Sequence, residues 1–337
     1  MYHHRASYDK RRDLCQGVLE KEGARVSSSM NTTDVLVSAF YYFTRIEPER
    51  LTDIRQQFEG VAENTGLRGL VVMGGEGINA TIAGTTEAVR AFHDLMRHIF
   101  PAADYTPKDS RAEKMPFSRF KVDVRPEIIT TKDLSISSEG SHGTHLTPRE
   151  WHEMIANDPD VVLVDTRNDY ETEVGVFEGA IDPKIKKFSD FQRFVEDQGL
   201  PKDKKLFLYC TGGIRCEKAV PEVKRLGYDK VYQLEGGILR YLEEYPDGFF
   251  KGECFVFDHR VAVDSHLQPS KTYKLCPHCG NPAKEAIACV KCGKDAVVCH
   301  RCVERVDRKT CSKNCAHHTR LHLEKSPPAP STSERGS

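Results

Sequence analysis

Neither sign of charge dominates this chain: 49 Lys and Arg stand against 50 Asp and Glu, a formal net charge of −1. That balance excludes a uniformly basic coat for nucleic acid, but not a local basic patch. No apolar run approaches the roughly 20 residues that a membrane-spanning helix needs. The opening MYHHRASYDKRRDLC lacks the apolar stretch of a secretory signal, so export is not expected. GGEGIN has glycines, but not G-x-G-x-x-G between a strand and a helix, so no nucleotide cofactor is expected. A repeat of solenoid period is also missing, which excludes a stacked array.

What stands out is cysteine. The 337 residues hold 12, and eight of them fall between Cys276 and Cys315. Without export, a cytoplasmic location and reduced thiols are expected. Metal ligation or thiol chemistry then outranks a disulfide framework. At about 100–200 residues per domain, the length predicts two or three domains.

The chain reads as a multidomain protein of α+β and α/β parts. Residues 1–34 are polar, without sustained periodicity, and read as a mobile leader. Residues 35–130 read as an α+β domain. VSAFYYF (Val37–Phe43) is a strand by its aromatics. Glu47–Asn64 places Leu51, Ile54, Phe58 and Val61 at helical spacing. Gly69–Met73 and Gly77–Gly84 are strands joined through glycines. Thr85–Phe100 is a second amphipathic helix, and Phe117–Arg125 supplies the last strand. The order βαββαβ is ferredoxin-like, as in acylphosphatase-like domains.

Residues 145–250 read as a parallel α/β domain. Thr147 and Pro148 start a helix as N-cap and first helical residue. Asp160–Thr166, Lys204–Cys210 and Lys230–Gly237 are apolar runs suited to strands buried on both faces. Glu217–Gly227 is the helix between the last two. Residues 251–325 form a small cysteine-rich module, and 326–337, rich in Pro and Ser, a disordered tail.

The most informative run is YCTGGIRCEKA (Tyr209–Ala219). Cys210 ends a buried strand, a glycine-bearing loop follows, and a helix starts. Open α/β sheets place their sites outside the carboxyl ends of the strands. Loop amides and the helix N-terminus direct partial positive charge at the Cys210 sulfur, and Arg215 adds a full one. Both favour the thiolate, the nucleophilic form. Gly212 and Gly213 permit the left-handed angles through which amides converge. The plain alternative is a small apolar cysteine closing a strand, and the flanking Gly-Gly and Arg count against it. Cys216 is either a resolving thiol or a small residue at a helix start.

The run C-x-x-G-x-R after a buried strand resembles the active-site loop of rhodanese sulfurtransferases. Val161–Ile181 resembles the other rhodanese signature, with Asp165 and Arg167 after a strand and Glu171, Gly179 and Ala180 beyond. This adds Asp165 and Arg167 to Cys216 as candidate helpers. Rhodanese loops carry Cys-x4-Arg, the spacing from Cys210 to Arg215. Phosphatases of the same fold carry Cys-x5-Arg around a phosphate, so the shorter ring here counts against phosphatase chemistry.

The likeness continues through YYFTRI, GLRGLVVMGGEGINATIAGT, FSRFKVDVRPEII, HGTHLTPREWHEMI, LEGGILRYLEEYP and KGECFVFDHRVAVD. Together, from Val35 to Asp264, these resemble the tRNA uridine hydroxylase family of rhodanese-domain proteins. The resemblance implies an oxidoreductase that converts the wobble uridine (position 34) of tRNA to 5-hydroxyuridine. It implies molecular oxygen and a reductant as co-substrates and Cys210 as a persulfide-forming residue. The alternatives are sulfur transfer to tRNA or a small acceptor, and a binding adaptor with a vestigial loop. The intact Cys210 and Arg215 count against the adaptor.

A wobble base lies in the tRNA anticodon stem-loop, where splayed bases stack on aromatics and Arg. Tyr41, Tyr42, Phe43, Arg45, Arg119, Lys121 and Arg125 are the candidate contacts. Alternate aromatics of the first strand also suit a core. Lys121 and Arg125 lie four apart on a strand, so they share a face and suit either phosphate or solvent.

From Cys276 the spacing reads CPHC, CVKC, CHRC and CSKNC: Cys276/Cys279, Cys289/Cys292, Cys299/Cys302 and Cys311/Cys315. Tight turns converge paired thiolates on one ion, and tetrahedral zinc takes four at about 2.3 Å. Eight thiolates suit two zinc sites, with His278, His300, His317 and His318 as substitute ligands. Sequential and cross-braced pairing are both open, and an iron–sulfur cluster is the alternative to zinc. Between Lys271 and Lys325, 12 Lys and Arg face five Asp and Glu, a charge balance suited to a tRNA-backbone clamp.

Overall fold

The computed structural model describes residues 35–325, so the predicted leader, the predicted tail and Cys15 lie outside the described residues. The first part runs β1 (Val35–Phe43), α1 (Pro48–Thr65), β2 (Arg68–Gly74), β3 (Gly77–Gly84), α2 (Thr86–Ile99), β4 (Lys108–Ala112) and β5 (Phe120–Val124). Pro48 opens α1, and Gly66 ends it at φ 71°, a left-handed angle glycine adopts without strain. Thr85 caps α2 by accepting from the Ala88 N–H. Phe58 of α1 and Val89, Phe92 and Met96 of α2 bury against Phe40, Val71 and Ile82 of the sheet.

The sheet order is β4-β1-β3-β2-β5. The last ferredoxin-type strand is therefore β4, antiparallel to β1, and not Phe117–Arg125. The latter contributes β5, a fifth strand parallel to β2 on the opposite edge. The reason is visible in the side chains. FKVDV alternates, with Val122 buried and Lys121 exposed, whereas KDSRA has no apolar alternation and reads as a loop.

The second part runs β6 (His145–Leu146), α3 (Pro148–Asn157), β7 (Val161–Asp165), α4 (Asp169–Thr172), β8 (Gly175–Phe177), α5 (Phe191–Gln198), β9 (Lys205–Tyr209), α6 (Ile214–Arg225), β10 (Val231–Leu234), α7 (Gly237–Glu244) and β11 (Phe250–Gly252). The parallel sheet has the order β6-β10-β9-β7. Thr147 and Glu150 form the reciprocal capping box of α3, with Pro148 in its first turn. Leu206 and Leu208 of β9 face one core, and Phe207 and Tyr209 face the other. A strand buried on both faces needs such a continuous apolar run. Helix α6 starts at Ile214, three residues before the predicted Glu217, because its first turn grows directly out of the Cys210 loop.

The cysteine-rich segment adds short hairpins, a one-turn helix (His300–Val303) and a last helix (Lys313–Lys325). Both sheets and this segment fall within one compact unit. No helix among the described residues is long and apolar enough to cross a membrane.

Candidate active site and metal centres

Cys210 sits just past β9, with 1% of its surface exposed. The Gly213 N–H donates to its Sγ at 3.1 Å. Gly213 has φ 99°, and a Cβ there would meet the Tyr41 hydroxyl at 2.9 Å, so the loop needs glycine for both backbone angle and space. From below, α7 closes on the loop. The Ile238 and Leu239 N–H groups donate to the Cys210 and Thr211 carbonyls at 2.9 and 3.1 Å. A Cβ on Gly237 would lie 2.5 Å from the Cys210 carbonyl oxygen.

Arg215, on the first turn of α6, is clamped by Glu171 of α4. Nη1 and Nη2 donate to its two oxygens at 2.7 and 2.6 Å, and both side chains are buried. Burial pushes the Cys210 thiol up. A hydrogen bond from Cys216, the Arg215 charge and the Arg215 and Gly213 amides outweigh it and lower Cys210 to about 6. Cys216 shifts the opposite way, well above the usual thiol range, through burial and the adjoining Cys210 charge. One sulfur of the pair is thus held as thiolate and the other as thiol.

Asp165 and Arg167 meet each other. Arg167 forks onto Asp165 at 2.7–3.1 Å and donates to the Gly175 carbonyl at 2.6 Å, with both side chains fully buried. Their contacts fasten the segment between β7 and β8, which carries Glu171. Cys254 lies in electrostatic reach of both Arg167 and Cys210, and burial raises it to about 12. It is a neutral thiol, and its Sγ donates to the Phe255 carbonyl at 3.7 Å.

Other groups reach the loop from the first sheet. The Tyr41 hydroxyl donates to Glu217 Oε1 at 2.8 Å, and Glu217 also holds His145 at 2.9 Å and Ser141 at 2.5 Å. Lys218 Nζ pairs with Glu76 at 2.8 Å and Glu127 at 2.9 Å. Lys108 Nζ lies 4.6 Å from the Tyr41 ring centroid. Lys108 lies outside every motif singled out in the sequence, and Glu217, His145 and Gly237 lie within the matching segments without a role of their own. Glu171 was singled out by number, as part of the rhodanese-like signature.

The nucleic-acid candidates separate into groups. Tyr42 packs on the first core beside Phe40, whereas Tyr41 faces the Cys210 loop with Phe43 edge-on at 6.0 Å. Arg45 is exposed and pairs with Glu47. Arg119 and Lys121 line an open groove of about 440 Å³ with Arg55, Glu59 and Asp123. Lys121 and Arg125 do share a face, and Asp123 between them pairs with both at 2.6 and 2.8 Å. Near the loop, Phe257 is 58% exposed and lies 5.8 Å from the Arg215 guanidinium.

The eight cysteines assemble in alternation. Cys276, Cys279, Cys299 and Cys302 form one group, and Cys289, Cys292, Cys311 and Cys315 the other, with sulfurs within 4.8 Å of one another. The pairing is cross-braced. Cys279 Sγ lies 3.5 and 3.8 Å from those of Cys299 and Cys302, and the Cys292, Cys311 and Cys315 sulfurs stand 3.6 to 3.9 Å apart. Four ligands at about 2.3 Å around one tetrahedral ion stand about 3.8 Å apart. The donor sets fit a single metal ion each. No histidine among the described residues completes either group: His278 instead bonds the Thr310 carbonyl at 2.8 Å. Arg301, between Cys299 and Cys302, donates to Glu173 at 2.7 Å and pairs with Asp169 at 3.0 Å, tying the first centre to α4.

Residues 35–128 match the family described as UPF0176 acylphosphatase like domain, 147–244 the Rhodanese-like domain, and 251–316 the Rhodanase C-terminal family. A tRNA uridine(34) hydroxylase of Bdellovibrio bacteriovorus is 44% identical over 88% of this chain and 84% of its own length. Relatives of the same name from Agrobacterium fabrum and Sinorhizobium medicae are each 41% identical, over 80% and 76% of this chain and 86% and 84% of their own.

Proposed function

The chain belongs to the tRNA uridine(34) hydroxylase family, and on that premise we propose that it hydroxylates the wobble uridine of tRNA to 5-hydroxyuridine in the cytoplasm. One oxygen atom of O2 enters the base, and the other leaves as water with two electrons from a reductant. Cys210 is the reacting sulfur. The observation that carries this reading is a thiolate held by a loop amide and a clamped Arg215 at the end of a parallel strand. With 1% of Cys210 exposed, a persulfide suits the site, since its outer sulfur stands about 2 Å further out than Sγ. Asp165 and Arg167 act by holding the segment that carries Glu171, and Cys216 donates a hydrogen bond to the thiolate.

The exposed ring of Phe257 beside Arg215 is suited to stack the extruded uracil. Arg119, Lys121 and Arg125, with Arg45 beyond β1, supply phosphate contacts for the anticodon stem-loop, and the basic cysteine-rich segment clamps the backbone. Both four-cysteine groups hold zinc. A multi-iron cluster would spread its cysteine sulfurs further than the 4.8 Å within which all four of each group lie. Metal analysis with an absorbance spectrum checks this: colour in the visible range and iron in the protein would overturn it.

Nucleoside mass spectrometry of tRNA from cells with and without the protein tests the reaction. A uridine-34 product heavier by one oxygen is expected, and Cys210→Ala abolishes it. Replacement of oxygen by sulfur would establish sulfur transfer instead, and unchanged tRNA would leave the adaptor.

A further inference from the structure

Lys108 opens β4 in the first sheet, yet its side chain serves the other one. In register it pairs with Ala39, so it projects on the same face as Ala39 and Tyr41. It is 8% exposed. No carboxylate or carbonyl among the described residues accepts a hydrogen bond from Nζ, and the face of the Tyr41 ring at 4.6 Å is its nearest support. A buried ammonium in that state is unfavourable unless a counter-charge compensates it.

The neighbouring carboxylates are already engaged. Glu217 is held by Tyr41, His145 and Ser141, and Glu235 pairs with Arg240. Glu243 of α7 lies within electrostatic reach of Lys108 and is shifted toward its neutral form by burial. Arg240 repels Lys108. Of the charges acting on Lys108, the strongest attraction comes from the Cys210 sulfur. Tyr41 bridges the two, with its hydroxyl against Gly213 of the loop and its ring beneath the ammonium.

We propose that Lys108 is a positioning residue of the reaction centre: its ammonium, carried across by Tyr41, is the second cation that keeps the Cys210 sulfur anionic. The proposal rests on Cys210 as the reacting sulfur, and is indifferent to whether oxygen or sulfur is transferred. Arg215 acts from within the parallel-sheet domain, and Lys108 from the first sheet, so the anion is completed only when both are docked. Burial lowers Lys108 to about 8, while Cys210 ionises near 6. The charged pair therefore exists between these values. Activity rises with pH as Cys210 deprotonates and falls as Lys108 loses its proton.

The test is thiolate absorbance of the full-length protein against pH, read as the difference from Cys210→Ser. This titration needs no tRNA, so its outcome stands apart from the hydroxylase reading. Lys108→Met is expected to move the Cys210 midpoint up by about one unit or more. Lys108→Arg restores the low midpoint, and its tRNA-modification profile loses the alkaline limb near 8, because Arg does not titrate there. A Lys108→Met protein with wild-type circular dichroism and a wild-type midpoint overturns the proposal. So does a Lys108→Arg protein whose Cys210 midpoint stays as high as that of Lys108→Met.

Discussion

Replacing Arg215 by Met removes one charge and leaves its partner behind. In the intact protein the guanidinium forks onto Glu171 at 2.6 and 2.7 Å, with side-chain exposures of 6% and 0%. Breaking a buried pair from one side costs roughly 3–5 kcal/mol, most of it from the stranded carboxylate. The same substitution removes the cation that favours the Cys210 thiolate. At pH 7 a thiol with a midpoint of about 6 is about nine-tenths ionised. Losing an adjacent charge raises the midpoint by roughly two units, which leaves about a tenth as thiolate. The assay is thiolate absorbance against pH, with urea unfolding followed in parallel. The two readouts are linked. A depressed thiol contributes stability that is complete above its unfolded value of about 8.5 and is lost as pH falls through about 6. The stability gap between wild type and Arg215→Met therefore narrows on acidification through that window. Arg215→Lys keeps a cation without the fork and should fall between the two. A folded Arg215→Met protein that titrates at the wild-type midpoint refutes the reasoning.

Phe257→Ala is expected to lower kcat/KM for tRNA about 5- to 150-fold, the equivalent of ~1–3 kcal/mol of base stacking, with the Cys210 midpoint unchanged; an unaltered kcat/KM would show that the uracil stacks elsewhere. Cys279→Ser and Cys299→Ser belong to one centre, so each alone and both together should remove one of two ions, whereas Cys279→Ser with Cys292→Ser removes both. Metal-to-protein ratios that fall to zero for the first double variant contradict the cross-brace. Charge reversal at Lys121 and Arg125 should weaken tRNA binding across sequences and reduce the salt-dependence slope by about two. Filter binding at several salt concentrations checks it, and an unchanged slope removes this groove from the interface.

The catalytic loop was legible because its bonds are local. Cys210, Gly213 and Arg215 lie within six residues, so one motif encodes sulfur, amide and cation together. The cysteine spacing likewise revealed four pairs. It did not reveal which pairs share an ion, because that depends on how the hairpins fold back on each other. The fourth ferredoxin-type strand escaped for a physical reason. An edge strand needs backbone partners on one side only, so KDSRA can be charged and still pair with β1. Lys108 escaped with it. A lysine at the start of a polar segment reads as solvated, and only the register with Ala39 and the docking of Tyr41 on the loop give it a different neighbourhood.

Helix α6 explains why loop and domain docking are not independent. Four successive residues, Arg215 to Lys218, cover slightly more than one helical turn, so their side chains leave the axis in all directions. Arg215 goes to Glu171 within the domain, and Cys216 to the Cys210 sulfur. Glu217 goes to Tyr41 of β1, and Lys218 to Glu76 and Glu127 beyond the first sheet. One residue of helical register is 1.5 Å of rise and about 100° of rotation, enough to break all four contacts together. The turn that sets the charge beside the sulfur is the turn that seats the first sheet on it. A change that undocks Tyr41 therefore reaches Cys210 through this helix as well as through Lys108.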